Sequence, residues 1–140
     1  GFVVGDPELV TGLKVLRNYG GAASPFPLMA ASAALWRDEA HVEENRGKYR
    51  LKFDQADKIL KKRFEYYRPE GGFYLWLNVE DGEIAAERLW VEAAIKVLPG
   101  KYLSKPNLSG RSPGDEYIRV ALVHNPELVC EALQRITAVL

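Results

Sequence analysis

The sequence predicts a small α+β domain, α/β in the wider sense, in which helices pack on a short sheet and one helix is long. The chain has 140 residues, 47% of them hydrophobic, so it is long enough to bury one core. Apolar residues recur with a helical period in the first half and alternate as in strands in the second. Helices followed by short strands and further helices favour helices layered on a small sheet.

The charge balance excludes several classes of function. Lys plus Arg number 19 and Asp plus Glu number 19, so the formal net charge is zero. We therefore expect no nucleic-acid partner, because such binders carry a basic surface. No apolar run is long enough to span a membrane, so no membrane association is expected. Cys130 is the only cysteine and cannot form an internal disulfide, which is typical of a cytoplasmic protein.

The first residues predict a buried strand over residues 2–4, because Phe2, Val3 and Val4 form an apolar run. The only methionine is Met29. We therefore expect that the sequence begins inside a longer protein. A strand made for another lobe's sheet would lack its neighbours here, and we expect it to be exposed, repacked or disordered.

Two helices are predicted next. Asp6 before Pro7 has the chemistry of an N-cap and a first-turn proline, which predicts a helix over residues 7–19. A long helix is predicted over residues 27–63, with a bend near Gly47. Its core-facing stripe has apolar residues at seven-residue intervals, namely Leu28, Leu35, Val42, Tyr49 and Ala56.

The second half predicts four short strands and two helices. The strands are expected over residues 64–68, 73–79, 95–98 and 117–123, and the helices over residues 83–94 and 126–139. In the aromatic strand, Phe73, Leu75 and Leu77 share one face, and Tyr74 and Trp76 share the other. Because both faces are apolar, we expect both to be covered.

A loop over residues 99–116 holds three cations, Lys101, Lys105 and Arg111. Loops of this length without secondary structure are uncommon in compact domains and are either functional or disordered. Both alternatives stay open from the sequence. No metal site is expected, because the two histidines do not share a helical face, and Cys130 is interpreted as a packing residue.

Arg119 stands out because the other residues of its predicted strand are apolar or aromatic. An arginine is rarely buried without a partner, since the cation would lose its hydration with nothing in return. An anionic group is therefore expected to face it. That group is either an internal Asp or Glu, or the carboxylate of a substrate held by the planar guanidinium through two parallel hydrogen bonds.

Five motifs give the chain a family resemblance. They are GFVVGD at residues 1–6, ASPFP at 23–27, PEGGFYLWL at 69–77, VLPGKYL at 97–103 and EYIRVALV at 116–123. Their order and spacing resemble the C-terminal part of class I/II, fold-type I, pyridoxal-phosphate-dependent aminotransferases. The stretch DEAHVEENRGKYRLKFD at residues 38–54 looks most like the N-succinyldiaminopimelate aminotransferases of lysine biosynthesis.

The resemblance implies a parent enzyme that is a dimer, binds pyridoxal 5'-phosphate and transfers an amino group between an amino acid, such as glutamate, and a 2-oxo acid. It implies residues 24–140 as the small C-terminal domain, and residues 1–23 as a remnant of the large domain with an interdomain helix. Arg119 aligns with the arginine that grips the substrate α-carboxylate. Lys101, Lys105 and Arg111 are candidates to bind a distal carboxylate, as in N-succinyl-2-amino-6-oxopimelate.

The resemblance also implies what these residues lack. The family's Schiff-base lysine lies just upstream of the GFVVGD motif, so no catalytic and no cofactor-binding residue is assigned here. We expect this polypeptide alone to bind no pyridoxal phosphate and to be inactive. The alternative is a non-enzymatic α/β module that binds an anionic metabolite at Arg119, or a protein partner.

Overall fold

The computed structural model describes residues 2–21, 23–61 and 63–140. These residues form five α-helices and a three-stranded antiparallel sheet, which confirms the predicted fold class. The helices are α1 (Pro7–Gly20), α2 (Phe26–Arg37), α3 (Glu39–Leu60), α4 (Gly82–Ala93) and α5 (Pro126–Val139), and the strands are β1 (Tyr74–Asn78), β2 (Leu98–Pro99) and β3 (Tyr117–Ala121). The chain divides into two compact units, residues 1–42 and residues 43–140.

The first unit holds α1, α2 and the start of α3. Asp6 caps α1 as predicted, with its Oδ1 accepting hydrogen bonds from the amides of Glu8 (2.9 Å) and Leu9 (3.2 Å). Residues 2–4 form no strand, so that prediction is wrong, whereas the expectation that they are exposed is confirmed. A strand needs a partner for its backbone groups, and the described part of this unit offers none.

The predicted helix over residues 27–63 is two helices, interrupted at Asp38. The Asp38 backbone is extended, and its Oδ1 accepts a hydrogen bond from the amide of Ala40 at 3.0 Å. An aspartate side chain that competes for backbone amides ends one helix and starts the next. Gly47 lies inside α3, and the bend expected there stays a prediction.

The second unit is built on the sheet, whose strand order is β1-β3-β2. In the β1–β3 register, Leu75 lies opposite Val120 and Leu77 opposite Ile118, and these four side chains are buried. Helices α4 and α5 pack against each other, and α4 packs on β3. The core consists of Phe53, Ala56, Leu60, Leu75, Leu77, Ala85, Leu89, Ala93, Ile118, Val120, Leu122, Val129, Leu133 and Ile136.

The opposite face of the sheet is open, which contradicts the expectation that both faces of the aromatic strand are covered. Tyr74, Trp76, Tyr117 and Arg119 lie on this face and are each half-buried. We call it the open face. Since the aromatic residues of β1 are not core residues, another function for this face has to be considered.

Two further strand predictions fail locally. Residues 64–65 form a turn and residues 66–68 form no strand, because Phe64 (φ 62°) and Glu65 (φ 47°) adopt left-handed conformations. Strand β2 begins at Leu98 rather than at residue 95, since Ala94 ends α4 in the left-handed region. No helix in the described ranges is both long and apolar enough to cross a membrane.

Candidate functional site

Arg119 lies in the middle of β3, directly opposite Trp76, on the open face. Its Cζ lies 4.4 Å from the centroid of the Tyr74 ring. Within residues 2–21, 23–61 and 63–140, no carboxylate lies within ion-pairing distance of the guanidinium. The internal Asp or Glu that the sequence left open as a partner is therefore not found in the described structure.

The Tyr74 ring holds the guanidinium by a cation–π contact, worth about 0.5–1 kcal/mol at a partly exposed site. A guanidinium that stacks on a ring with its flat face keeps free the edge that carries its N–H donors. An anion approaching along the open face can therefore accept two parallel hydrogen bonds from Arg119. This arrangement is suited to a carboxylate.

The three cations of the loop differ in their surroundings. Lys101 forms an ion pair with Glu83, and the hydrogen bond from Lys101, followed by that from Tyr102, holds the pKa of this carboxyl below its usual value. The pKa of Lys101 is raised by the same hydrogen bond. Arg111 forms an exposed ion pair with Glu116 at 3.1 Å. Lys105 forms no ion pair with the described residues. A role of any of the three cations in binding substrate stays a prediction.

The loop is ordered by a short 3₁₀ helix and by close backbone contacts. A short 3₁₀ helix spans Gly100–Leu103. A Cβ on Gly114 would overlap the carbonyl of Gly100 and lie 2.6 Å from Ser104 Oγ. The Ser104 hydroxyl also lies 3.3 Å from the carbonyl oxygen of Gly100, and it accepts a hydrogen bond from the amide of Gly114 at 3.1 Å. The alternative of a disordered loop is therefore not supported.

An aromatic recess of about 330 Å³ lies between this loop and the open face. Its walls include Tyr67, Trp76, Leu103, Pro113 and Tyr117. The rings of Trp76 and Tyr117 meet edge to face, with centroids 6.0 Å apart and planes at 83°. A Cβ on Gly100 would lie 2.6 Å from Cζ3 of Trp76, so glycine at position 100 leaves the space that the indole occupies.

Sequence reasoning missed Lys52, which is buried in the second unit. Its ammonium donates a hydrogen bond to the carbonyl of Leu122 at 2.7 Å and lies 4.5 Å from the centroid of the Tyr49 ring. Burial lowers the pKa of this ammonium. The sequence does indicate its burial, because Lys52 lies three residues after Tyr49 and therefore on the same apolar face of the helix. This hydrogen bond links α3 to Leu122, the residue that follows β3, the strand that carries Arg119.

Comparison with known proteins gives consistent results, although no protein-family model matches the chain. It is 30% identical to the 4-dedimethylamino-4-oxo-anhydrotetracycline transaminase OxyQ of Streptomyces rimosus over 138 residues, 98% of this chain and 36% of that protein. It is 35% identical to the LL-diaminopimelate aminotransferase of Aquifex aeolicus over 141 residues, 97% of this chain and 35% of that protein.

Solved structures agree with these relatives. An aminotransferase from Neisseria meningitidis superposes with a TM-score of 0.82 at 39% identity, covering 96% of this chain and 35% of that one. A probable N-succinyldiaminopimelate aminotransferase from Thermus thermophilus superposes with a TM-score of 0.76 at 25% identity, covering 98% and 36%. The chain thus spans about a third of the curated relatives it matches. The resemblance inferred from the sequence is confirmed.

Proposed function

We propose that this chain, which belongs to the fold-type I aminotransferases, serves as the small C-terminal domain of an enzyme that transfers an amino group between an amino acid and a 2-oxo acid. The observation that carries the proposal is Arg119. Its guanidinium is oriented by Tyr74 on the open face and has no carboxylate partner among the described residues. A substrate carboxylate is the missing anion.

Arg119 would act by binding and orienting the substrate. Amino acids and 2-oxo acids both carry a carboxylate bonded directly to the reacting carbon, so one arginine serves both halves of a transamination. A bidentate hydrogen-bond pair fixes the rotation of the carboxylate as well as its place, and such positioning accounts for much of the rate of enzymatic reactions. The guanidinium offers five N–H donors and no acceptor, so the proposed role of Arg119 is binding and orientation.

Homology implies pyridoxal 5'-phosphate as the cofactor of the full-length enzyme, where it supplies an electron sink. The described residues do not form its site on their own. The open face carries one cation, Arg119, and its other described side chains on β1 and β3 are not lysines. Lys52 is buried and bonded to Leu122. The lysine that would hold the cofactor is therefore assigned outside these residues.

This assignment predicts that the isolated 140-residue polypeptide is inactive. Incubated with pyridoxal phosphate and reduced with borohydride, it should give no stoichiometric adduct on any single lysine, measured by peptide mass spectrometry. Scattered, substoichiometric labelling of exposed lysines such as Lys105 is the expected background. One lysine labelled close to completion, and protected by a substrate, would contradict the assignment.

The full-length protein that contains these residues should convert glutamate to 2-oxoglutarate when a 2-oxo acid is supplied. The assay couples 2-oxoglutarate formation to a dehydrogenase and is repeated without added acceptor as the control. No amino transfer from glutamate, alanine or aspartate to any 2-oxo acid tested would reject the proposed function. We further propose that this protein is a cytoplasmic homodimer.

The exposed apolar side chains of the first unit support the proposal that its partner is another domain of the same enzyme. No residue of α1 or α2 is buried, Tyr19 is 90% exposed, and Phe26 is 86% exposed. Apolar surface on this scale marks an interaction site. We assign residues 1–23 to the large domain and an interdomain helix, and residues 24–140 to the small domain.

A more specific acceptor is N-succinyl-2-amino-6-oxopimelate of lysine biosynthesis. The support comes from the diaminopimelate and succinyldiaminopimelate aminotransferases among the similar proteins. Its distal carboxylate needs a second cation. We assign Lys105 to this role among the loop cations, because Lys101 is paired with Glu83 and Arg111 with Glu116.

The alternative is a non-enzymatic module that uses Arg119 to bind an anionic metabolite, or its exposed helices to bind a protein. The reading frame upstream of Gly1 separates the two. A segment there with Ser, two or three residues, Lys and then Arg supports the aminotransferase. A start codon at the junction supports the module.

A further inference from the structure

We propose that the aromatic recess binds the uncharged hydrocarbon part of the 2-oxo acid acceptor's side chain, in an orientation set by Arg119. The acceptor class is a 2-oxo acid with an aromatic ring, or with three or more carbons of uncharged chain beyond the oxo group. This inference rests on the proposed function and adds the substrate class to it.

The first step is the position of the recess relative to Arg119. Trp76 lies directly opposite Arg119 in the sheet, and Tyr117 lies two residues before Arg119, so both rings share the open face with the guanidinium. The guanidinium leans toward Tyr74, which pairs with Ala121. Carboxylate and recess therefore occupy opposite ends of one surface.

The second step is the distance along that surface. Same-face neighbours on a strand are about 7 Å apart, because each residue adds about 3.4 Å. A carboxylate on Arg119 places the following carbons over the indole of Trp76. A chain of three or four further carbons, or one aromatic ring, then reaches Tyr117 and the recess behind it. Pyruvate is too short to do so.

The third step is the chemistry of the walls, among which no side chain is charged. The hydroxyl that the loop contributes, on Ser104, is already engaged by the amide of Gly114 and the hydroxyl of Ser112. A carboxylate placed in the recess would lose its hydration without a cation in return, which is costly. A hydrocarbon group would gain contact with the faces and edges of two aromatic rings. The recess thus disfavours a carboxylate inside it, and the distal carboxylate of the glutamate donor is expected to lie outside the recess.

The recess is also preformed, because its walls are held in place without a ligand. Gly100 and Gly114 pack backbone against backbone beneath Trp76, so the indole cannot sink toward the loop without a clash. The edge-to-face contact with Tyr117 fixes its other side. A preformed pocket loses little conformational entropy on binding, and this favours recognition by shape. N-Succinyl-2-amino-6-oxopimelate remains compatible, with its methylene chain in the recess.

The kinetic test uses the full-length enzyme with glutamate as donor and four acceptors: pyruvate, oxaloacetate, 2-oxohexanoate and phenylpyruvate. We expect Trp76→Leu to lower kcat/KM for phenylpyruvate and 2-oxohexanoate about tenfold or more, with pyruvate changed less than threefold. Trp90→Leu is the matched control, because Trp90 is an exposed tryptophan of α4, and it should change none of the four. Equal losses for all acceptors, or a wild-type preference for oxaloacetate, would overturn the inference while the proposed function stands.

A binding test needs no turnover and so separates the two proposals. In the 140-residue polypeptide, 3-phenylpropionate carries the carboxylate and the ring without the reacting group. We expect it to shift the indole N–H resonance of Trp76, assigned with Trp76→Leu, and not that of Trp90, while propionate shifts neither. A shift of Trp90 alone, of both indoles equally or of neither would reject the recess as a binding site. An inactive full-length enzyme with a selective Trp76 shift would reject only the transaminase function.

Discussion

Replacing Arg119 with lysine should lower kcat/KM of the full-length enzyme about 30- to 150-fold, for donor and acceptor alike. Losing one partner of a buried, hydrogen-bonded charge pair costs about 2–5 kcal/mol. Lysine keeps the charge and loses only the paired geometry, so the lower part of that range, about 2–3 kcal/mol, applies. Both substrates are affected because each presents the same carboxylate to the guanidinium above Tyr74.

The fall in kcat/KM of Arg119→Lys should not come from a loss of stability of the folded protein. Arg46→Lys is the matched control, since Arg46 is an exposed arginine of α3 paired with Glu43 at 2.6 Å, and it should leave kcat/KM unchanged. Arg119→Lys should keep the melting temperature within a few degrees, because the guanidinium has no carboxylate partner to lose among the described residues. If kcat/KM of Arg119→Lys equals that of the wild type for both substrates, Arg119 does not bind the carboxylate.

The proposed carboxylate end of the site, Arg119, could be predicted from the sequence, and the proposed side-chain end, the aromatic recess, could not. Arg119 stands out locally, as a cation in an apolar strand. The recess depends on which residue of β1 lies opposite Arg119, and on a loop folded so that Gly100 meets Gly114. Both are long-range relations, which the alternation of side chains along one strand cannot give. Without them the aromatic residues of β1 were interpreted as covered.

The fold shows the same contrast between local features, which the sequence predicts, and long-range contacts, which it does not. Helices α1 and α5 follow the prediction closely because their start signals are local, in Asp6 with Pro7 and in Pro126. Residues 64–68 are predicted as a strand, but the chain turns at Phe64, which takes a left-handed conformation and whose carbonyl accepts a hydrogen bond from the amide of Asn78 at 3.0 Å. Tertiary hydrogen bonding overrides strand propensity there.

Placing alanine at position 114 should destabilise the 140-residue polypeptide by about 3 kcal/mol. The added Cβ would overlap the backbone of Gly100, and a backbone cannot move aside as a flexible side chain can. Overpacking typically costs about 1–3 kcal/mol, and a backbone clash belongs at the upper end. With an m value of about 2 kcal/mol/M, the urea midpoint should fall by about 1.5 M, measured by far-UV circular dichroism.

The control for Gly114→Ala is Gly47→Ala, which should have the opposite sign. Gly47 lies inside α3, and a Cβ there would meet nothing within 4 Å. Alanine in a helix interior is favoured over glycine by about 0.5–1 kcal/mol, so the urea midpoint should rise. Because Gly100 and Gly114 support Trp76, Gly114→Ala should also broaden the Trp76 indole resonance, whereas Gly47→Ala should not. A Gly114→Ala polypeptide as stable as the wild type would show that the loop yields, and a recess with yielding walls could not select acceptors by shape.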